Sequence, residues 1–141
     1  MRLLDTLTVR TASLLAGGLV LVGGLAGLVA WPALPAEMAI HFGPAGPDQF
    51  VSKLRGVLLV PALGLAVIGF VWLFERNPAD PTVTSLGILF TGVTLTYVHG
   101  IVLLWNLGVQ VDVTAAVGPI VVVAGALVYV QYRGIPRFVR G

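Results

Sequence analysis

Long apolar windows constrain this chain more than anything else in it. They cover residues 12–31, 56–74, 85–105 and 113–132. Each has about the 20 apolar residues that a helix needs to cross the hydrocarbon core of a bilayer. Charged residues make up 10% of the sequence, against about 25% in a soluble domain. So few charges could not cover a water-facing surface. The expected fold class is therefore all-α integral membrane, with four transmembrane helices in a single domain over residues 1–141 and the lipid bilayer as surroundings. No cysteine is present, which excludes disulfides, thiol catalysis and cysteine-based zinc sites. The Lys and Arg residues form no run, so nucleic acid is not an expected partner.

The flanks agree with four crossings. Trp31, Trp72, Trp105, Tyr129 and Tyr132 fall near window ends, where amphipathic rings favour the membrane interface. "ERNPADP" and "NLGVQVD" separate the later windows and hold the turn formers. Four crossings put both termini on one side, together with Arg2, Arg10, Arg76, Arg133, Arg137 and Arg140. Lys53 and Arg55 then lie opposite. The positive-inside rule places the arginine-rich side, and both termini, in the cytoplasm of a cell-membrane protein. The rival is a cleaved signal peptide, for which Arg2, Arg10 and Ala36 make a loose match. The apolar run is too long for that reading.

Gly23 and Gly27 in the first window form a GxxxG pair, a spacing that lets helices approach closely. They serve either packing inside one bundle or a homo-oligomer seam. Pro61, about one turn into the second window, is expected to kink or unwind it.

The polar segment "LPAEMAIHFGPAGPDQFVSK" (residues 34–53) interrupts this pattern and is expected on the external side. "EMAIHF" alternates, with Met38, Ile40 and Phe42 on one face and Glu37, Ala39 and His41 on the other. "GPAGPD" is rich in turn formers, and "QFVSK" can return as a second strand. A short β-hairpin-like loop follows, spanning residues 32–55 with its connections. A two-stranded hairpin is marginal alone, so its apolar side should rest on helix ends or lipid headgroups.

The same segment carries a family resemblance. Leu34-Pro35, Ile40-His41-Phe42, Gly46, Asp48, Phe50, Ser52-Lys53 and Pro61 resemble the SdpI-like immunity-protein family and its associated domain of unknown function. Ala39 stands where that family favours Pro, and Phe50 where Trp is commoner. Asn106, Gly108 and Asp112 are similar to the family's C-terminal module, and Arg133, Pro136 and Arg137 to its basic end. The resemblance implies resistance to a secreted antimicrobial peptide. For some members it also implies signalling through a cytoplasmic repressor.

Chemistry-bearing residues are few. Glu37, His41 and Asp48 form the polar centre of the loop. They suit either a metal or ligand site or a hydrogen-bonded framework with Ser52 and Lys53 anchoring its return. Their spacing matches no zinc motif, so no metal or other cofactor is assigned. His99 lies inside the third window. It is either a neutral side chain hydrogen-bonded between helices or a functional site. Asn106 and Gly108 read as a helix turn, and Asp112 as the cap of the fourth helix. Glu75, Arg76 and Asp80 read as a solvated cytoplasmic turn, and the basic tail as a contact for anionic lipid or a protein partner.

No nucleophile–base pair or phosphate loop stands at useful spacing, and the chain is not read as an enzyme. The leading expectation is a receptor or protective accessory for a hydrophobic or cationic peptide, with a cytoplasmic regulator. The alternative is a small transporter subunit with a polar site at His99. A metal-dependent hydrolase centred on His41 ranks third.

Overall fold

The computed structural model describes residues 8–43, 45–74 and 81–134. In chain order it has α1 (Val9–Ala30), one 3-10 turn (Trp31–Ala33), β1 (Glu37–Gly43), β2 (Gly46–Ser52), α2 (Lys53–Phe74), α3 (Pro81–Asn106) and α4 (Val113–Gly134). The expectations for Arg2, Glu75, Arg76, Asp80, Pro136, Arg137 and Arg140, and for the side chains of Tyr132 and Arg133, fall outside the described residues. Residues 1–111 form one packed unit and residues 112–141 a second.

The fold is mostly helical, and three helices are long and apolar enough to cross a membrane: Val9–Ala33, Lys53–Phe74 and Thr84–Asn106. Exposed Leu and Val side chains ring α1 and α2, as lipid-facing surfaces require. The apolar stretch described in α4, Val113–Tyr129, is shorter than these three.

The helix ends follow from local chemistry. Thr8 is extended, and its hydroxyl accepts the Thr11 N–H at 3.1 Å to cap α1. Asp112 does the same for α4, its carboxylate accepting the Ala115 N–H at 3.0 Å. α3 closes on Gly108, whose φ of +86° suits glycine. The Gly108 N–H donates to the Trp105 carbonyl (2.9 Å), and the Val109 N–H to Leu104 (3.0 Å). This pair of bonds satisfies carbonyls that the helix end would orphan. α2 continues as helix through Pro61 rather than unwinding there. The proline ring faces α1, where a Cβ on Gly24 would stand 3.3 Å from it.

The main seam joins α1 to α3. Ala12, Ala16, Val20, Gly23 and Gly27 recur at helical spacing and are buried. Ser85, Ile88, Gly92, His99 and Leu103 do the same on α3. The helices are in tight contact at Gly92, where an added Cβ would lie 2.6 Å from the Ala16 Cβ and 2.7 Å from its Cα. A Cβ on Gly23 would meet Thr96 at 3.4 Å, and one on Gly27 would meet Val57 at 2.9 Å and His99 at 3.3 Å. The chain's own α2 and α3 therefore pack against the Gly23/Gly27 face, as the first of the two readings of this pair expects.

Candidate functional site

The hairpin is an antiparallel pair whose register departs from strict alternation. Ala39 pairs with Phe50, His41 with Gln49 and Phe42 with Pro47. Ile40 is thus the extra residue in β1 and Asp48 the extra residue in β2. β2 begins at Gly46 rather than Gln49, and Lys53 belongs to α2 rather than to the returning strand. Gly46 has a φ of +115°, which explains a glycine at the end of the turn.

The apolar side of the hairpin rests on helix ends. Met38 is fully buried with Leu34, Val57, Val102 and Leu103. It lies over Gly56, where a Cβ would be 2.9 Å from the Met38 Cβ. Ile40 and Phe42 pack at the margin of this cluster, and the Phe42 ring meets Trp105 edge-on at 5.2 Å. Ala39, expected on the outward face, is also buried, with 2% of its surface exposed.

Asn106 explains that burial. Its side-chain oxygen accepts the Ala39 N–H at 2.9 Å, and its amide donates to the Ala39 carbonyl at 2.9 Å. The amide donates also to the Val102 carbonyl at 2.7 Å. The side chain thus acts as one residue of a third strand, satisfying the outer edge of β1. Lys53 makes the second attachment. Its ammonium donates to the Trp31 carbonyl at 3.1 Å and lies 5.4 Å from the Trp31 ring centre. Its backbone N–H donates to Ala36 at 2.8 Å.

Ala39 directs both backbone groups away from β2, so the Ala39–Phe50 pair is a non-hydrogen-bonded one. The N–H and C=O of Phe50 therefore point to the outer edge of β2. Among the described residues, no other element pairs with that edge. The Phe50 side chain is 56% exposed. His41 Nδ1 and Asp48 Oδ1 approach to 2.6 Å on the exposed surface, and the Asp48 carboxylate lies over Gly43. Glu37 and Ser52 face one another at the open end of the hairpin, both exposed. Leu34 is buried and Pro35 exposed. Among the described residues, no three His, Asp or Glu side chains gather as metal ligands.

A second polar site lies inside the helices. His99 is 1% exposed, and neither of its ring nitrogens has a hydrogen-bond partner among the described residues. The hydroxyl of Thr96 is in the same condition. Two hydroxyls elsewhere in the helices contrast with it: Ser13 donates to the Val9 carbonyl (2.8 Å) and Thr91 to Gly87 (2.9 Å). Thr96 and His99 border a narrow gap with Gly23 of α1 and Val60 and Pro61 of α2, with no room for a water molecule. Pro61 has no N–H, so Val57 also lacks its usual helical donor. Buried polar atoms without partners each cost about 1–3 kcal/mol. Replacing His99 with leucine is thus expected to raise thermal stability by about 2 kcal/mol. A melt in detergent checks this, and a drop of the same size would show that the imidazole is bonded.

The hairpin and His99 are legible in the sequence, where Asn106 reads as a turn residue. The signal was present: Asn106 continues the stripe of Gly92, His99 and Leu103 at helical spacing, so it faces the bundle. The alternation of β1 marked Met38 as inward-facing, but its contact with Gly56 depends on where the hairpin lands.

No curated protein and no solved structure matches the chain. Over residues 18–65, from the middle of α1 through the whole hairpin to Leu65 of α2, the chain is similar to a family described as a domain of unknown function, DUF1648.

Proposed function

We propose that this is an SdpI-like protein of the cell membrane that receives a secreted hydrophobic or cationic peptide on its hairpin and protects the cell from it. In this reading α4 is a fourth span, both termini are cytoplasmic and the hairpin faces outward. The role is non-catalytic, with coupling to a cytoplasmic regulator. The observation that carries it is the hairpin itself, fixed to the helices on its β1 side and open along β2. An extended peptide can add to such an edge through main-chain bonds. Phe50 offers the peptide an apolar contact, and Glu37 and Asp48 supply negative charge for a cationic one.

The chain has no cysteine, so Ala45→Cys at the exposed turn gives a single reporter. A membrane-impermeant maleimide is expected to label it in intact cells as fully as in lysed ones. Labelling only after lysis sinks the external receptor. Expression should also raise the tolerance of a sensitive host to such a peptide, and Phe50→Glu should remove the gain. Unchanged tolerance ends the protective role.

The unpartnered nitrogens of His99 favour a second reading, a small transporter subunit with a polar site between helices. Solute flux in proteoliposomes that disappears in His99→Leu would support it over the first.

A further inference from the structure

We propose that the groove between α1 and α2, at the end away from the hairpin, binds one anionic phospholipid, with its phosphate at Arg10 and an acyl chain along Gly17, Leu65 and Gly69. The groove has a volume of about 340 Å³, and Ser13, Ile68 and Trp72 complete its lining. Its floor is made by absent side chains. A Cβ on Gly69 would meet nothing within 4 Å, and one on Gly17 would touch only Leu65, at 4.0 Å.

Charge selects the occupant. Arg10 is exposed in the first turn of α1, a turn without an acidic residue. A cation there sits beside the positive pole of the helix, which is unfavourable until an anion approaches. Among the described residues, Arg10 has no ion pair or hydrogen-bond partner. The Ser13 hydroxyl proton is already donated to the Val9 carbonyl, so it is not free to bind the phosphate. A guanidinium matches phosphate geometry with two parallel bonds. Trp72 borders the same mouth, and indole rings favour headgroup depth. The apolar floor beneath a single cation fits a lipid with a phosphate head rather than a free anion. Basic pockets between membrane helices recognise headgroups in this way.

The test uses the full chain purified in detergent, with phosphatidylglycerol, phosphatidylcholine of the same chains, or inorganic phosphate added. Phosphatidylglycerol is expected to raise the melting midpoint by roughly 5 °C, and native mass spectrometry should show one retained lipid. Phosphatidylcholine and inorganic phosphate should do neither. Arg10→Gln should abolish the shift, Arg10→Lys should keep part of it, and Gly69→Leu should abolish it by filling the groove. An equal rise with phosphatidylcholine would mean an unselective apolar annulus. An equal rise with phosphate would mean a surface anion contact, and a shift surviving both Arg10→Gln and Gly69→Leu would place the lipid elsewhere. Each overturns the proposal, and the lipid comparison on the unmodified protein decides it even if a variant does not fold.

Discussion

Asn106→Leu will release the hairpin from the helices and cost about 3 kcal/mol of stability. Leucine keeps the volume of asparagine and removes three hydrogen bonds at once. Two of them serve the N–H and C=O of Ala39, a residue almost fully buried. These backbone groups then stay buried without partners, and that desolvation cost exceeds the modest net value of the bonds themselves. The register makes the damage local as well as global. Hydrogen exchange should quicken at Ala39 and along β1, while the helices away from the hairpin keep their protection. The melting midpoint should fall by several degrees. A wild-type midpoint together with wild-type protection at Ala39 would show that the asparagine is not the anchor of the sheet.

Gly92→Val should be as severe, for a steric reason. The first carbon of any side chain at this position falls 2.7 Å from the Ala16 Cα, a backbone atom that no rotamer change can move aside. α1 and α3 must separate, and the contacts of Ala12, Val20 and Ile88 in the same cluster weaken with them. Overpacking of this kind costs about 1–3 kcal/mol, and more where backbone must shift. A loss of about 3 kcal/mol is expected, read as a lower midpoint in a detergent melt. Gly100→Val provides the control, because a Cβ there meets nothing within 4 Å. Equal melts for the two variants would remove Gly92 from the seam.

The helices were legible because length and hydropathy act locally. Residues 12–31, 56–74 and 85–105 all lie within observed helices or the turn that ends α1. The hairpin was legible from turn formers and alternation, but its register was not. Whether Ile40 or a neighbour becomes the extra residue depends on Asn106, 67 positions away from Ala39. The Gly23/Gly27 spacing announced close helix approach and left its partner open. Only the assembled bundle assigns that partner to Thr96, His99 and Val57. At the candidate site, His41 and Asp48 could be named singly from the sequence. Their approach to 2.6 Å needed the second bulge, which no residue pattern encodes.

The seam between α1 and α3 has a consequence for the order of synthesis. These helices are not neighbours in the chain, so α1 enters the membrane well before its best partner exists. Until α3 arrives, Ala16 and Gly23 lack their partners Gly92 and Thr96, and Gly27 has Val57 of α2 but not His99. The hairpin meets the same delay, because Met38 needs Val102 and Leu103, and Ala39 needs Asn106. One late event therefore closes the bundle and fastens the hairpin together. A chain halted before residue 92 would carry a half-covered glycine face, a loose hairpin and no means of repairing either.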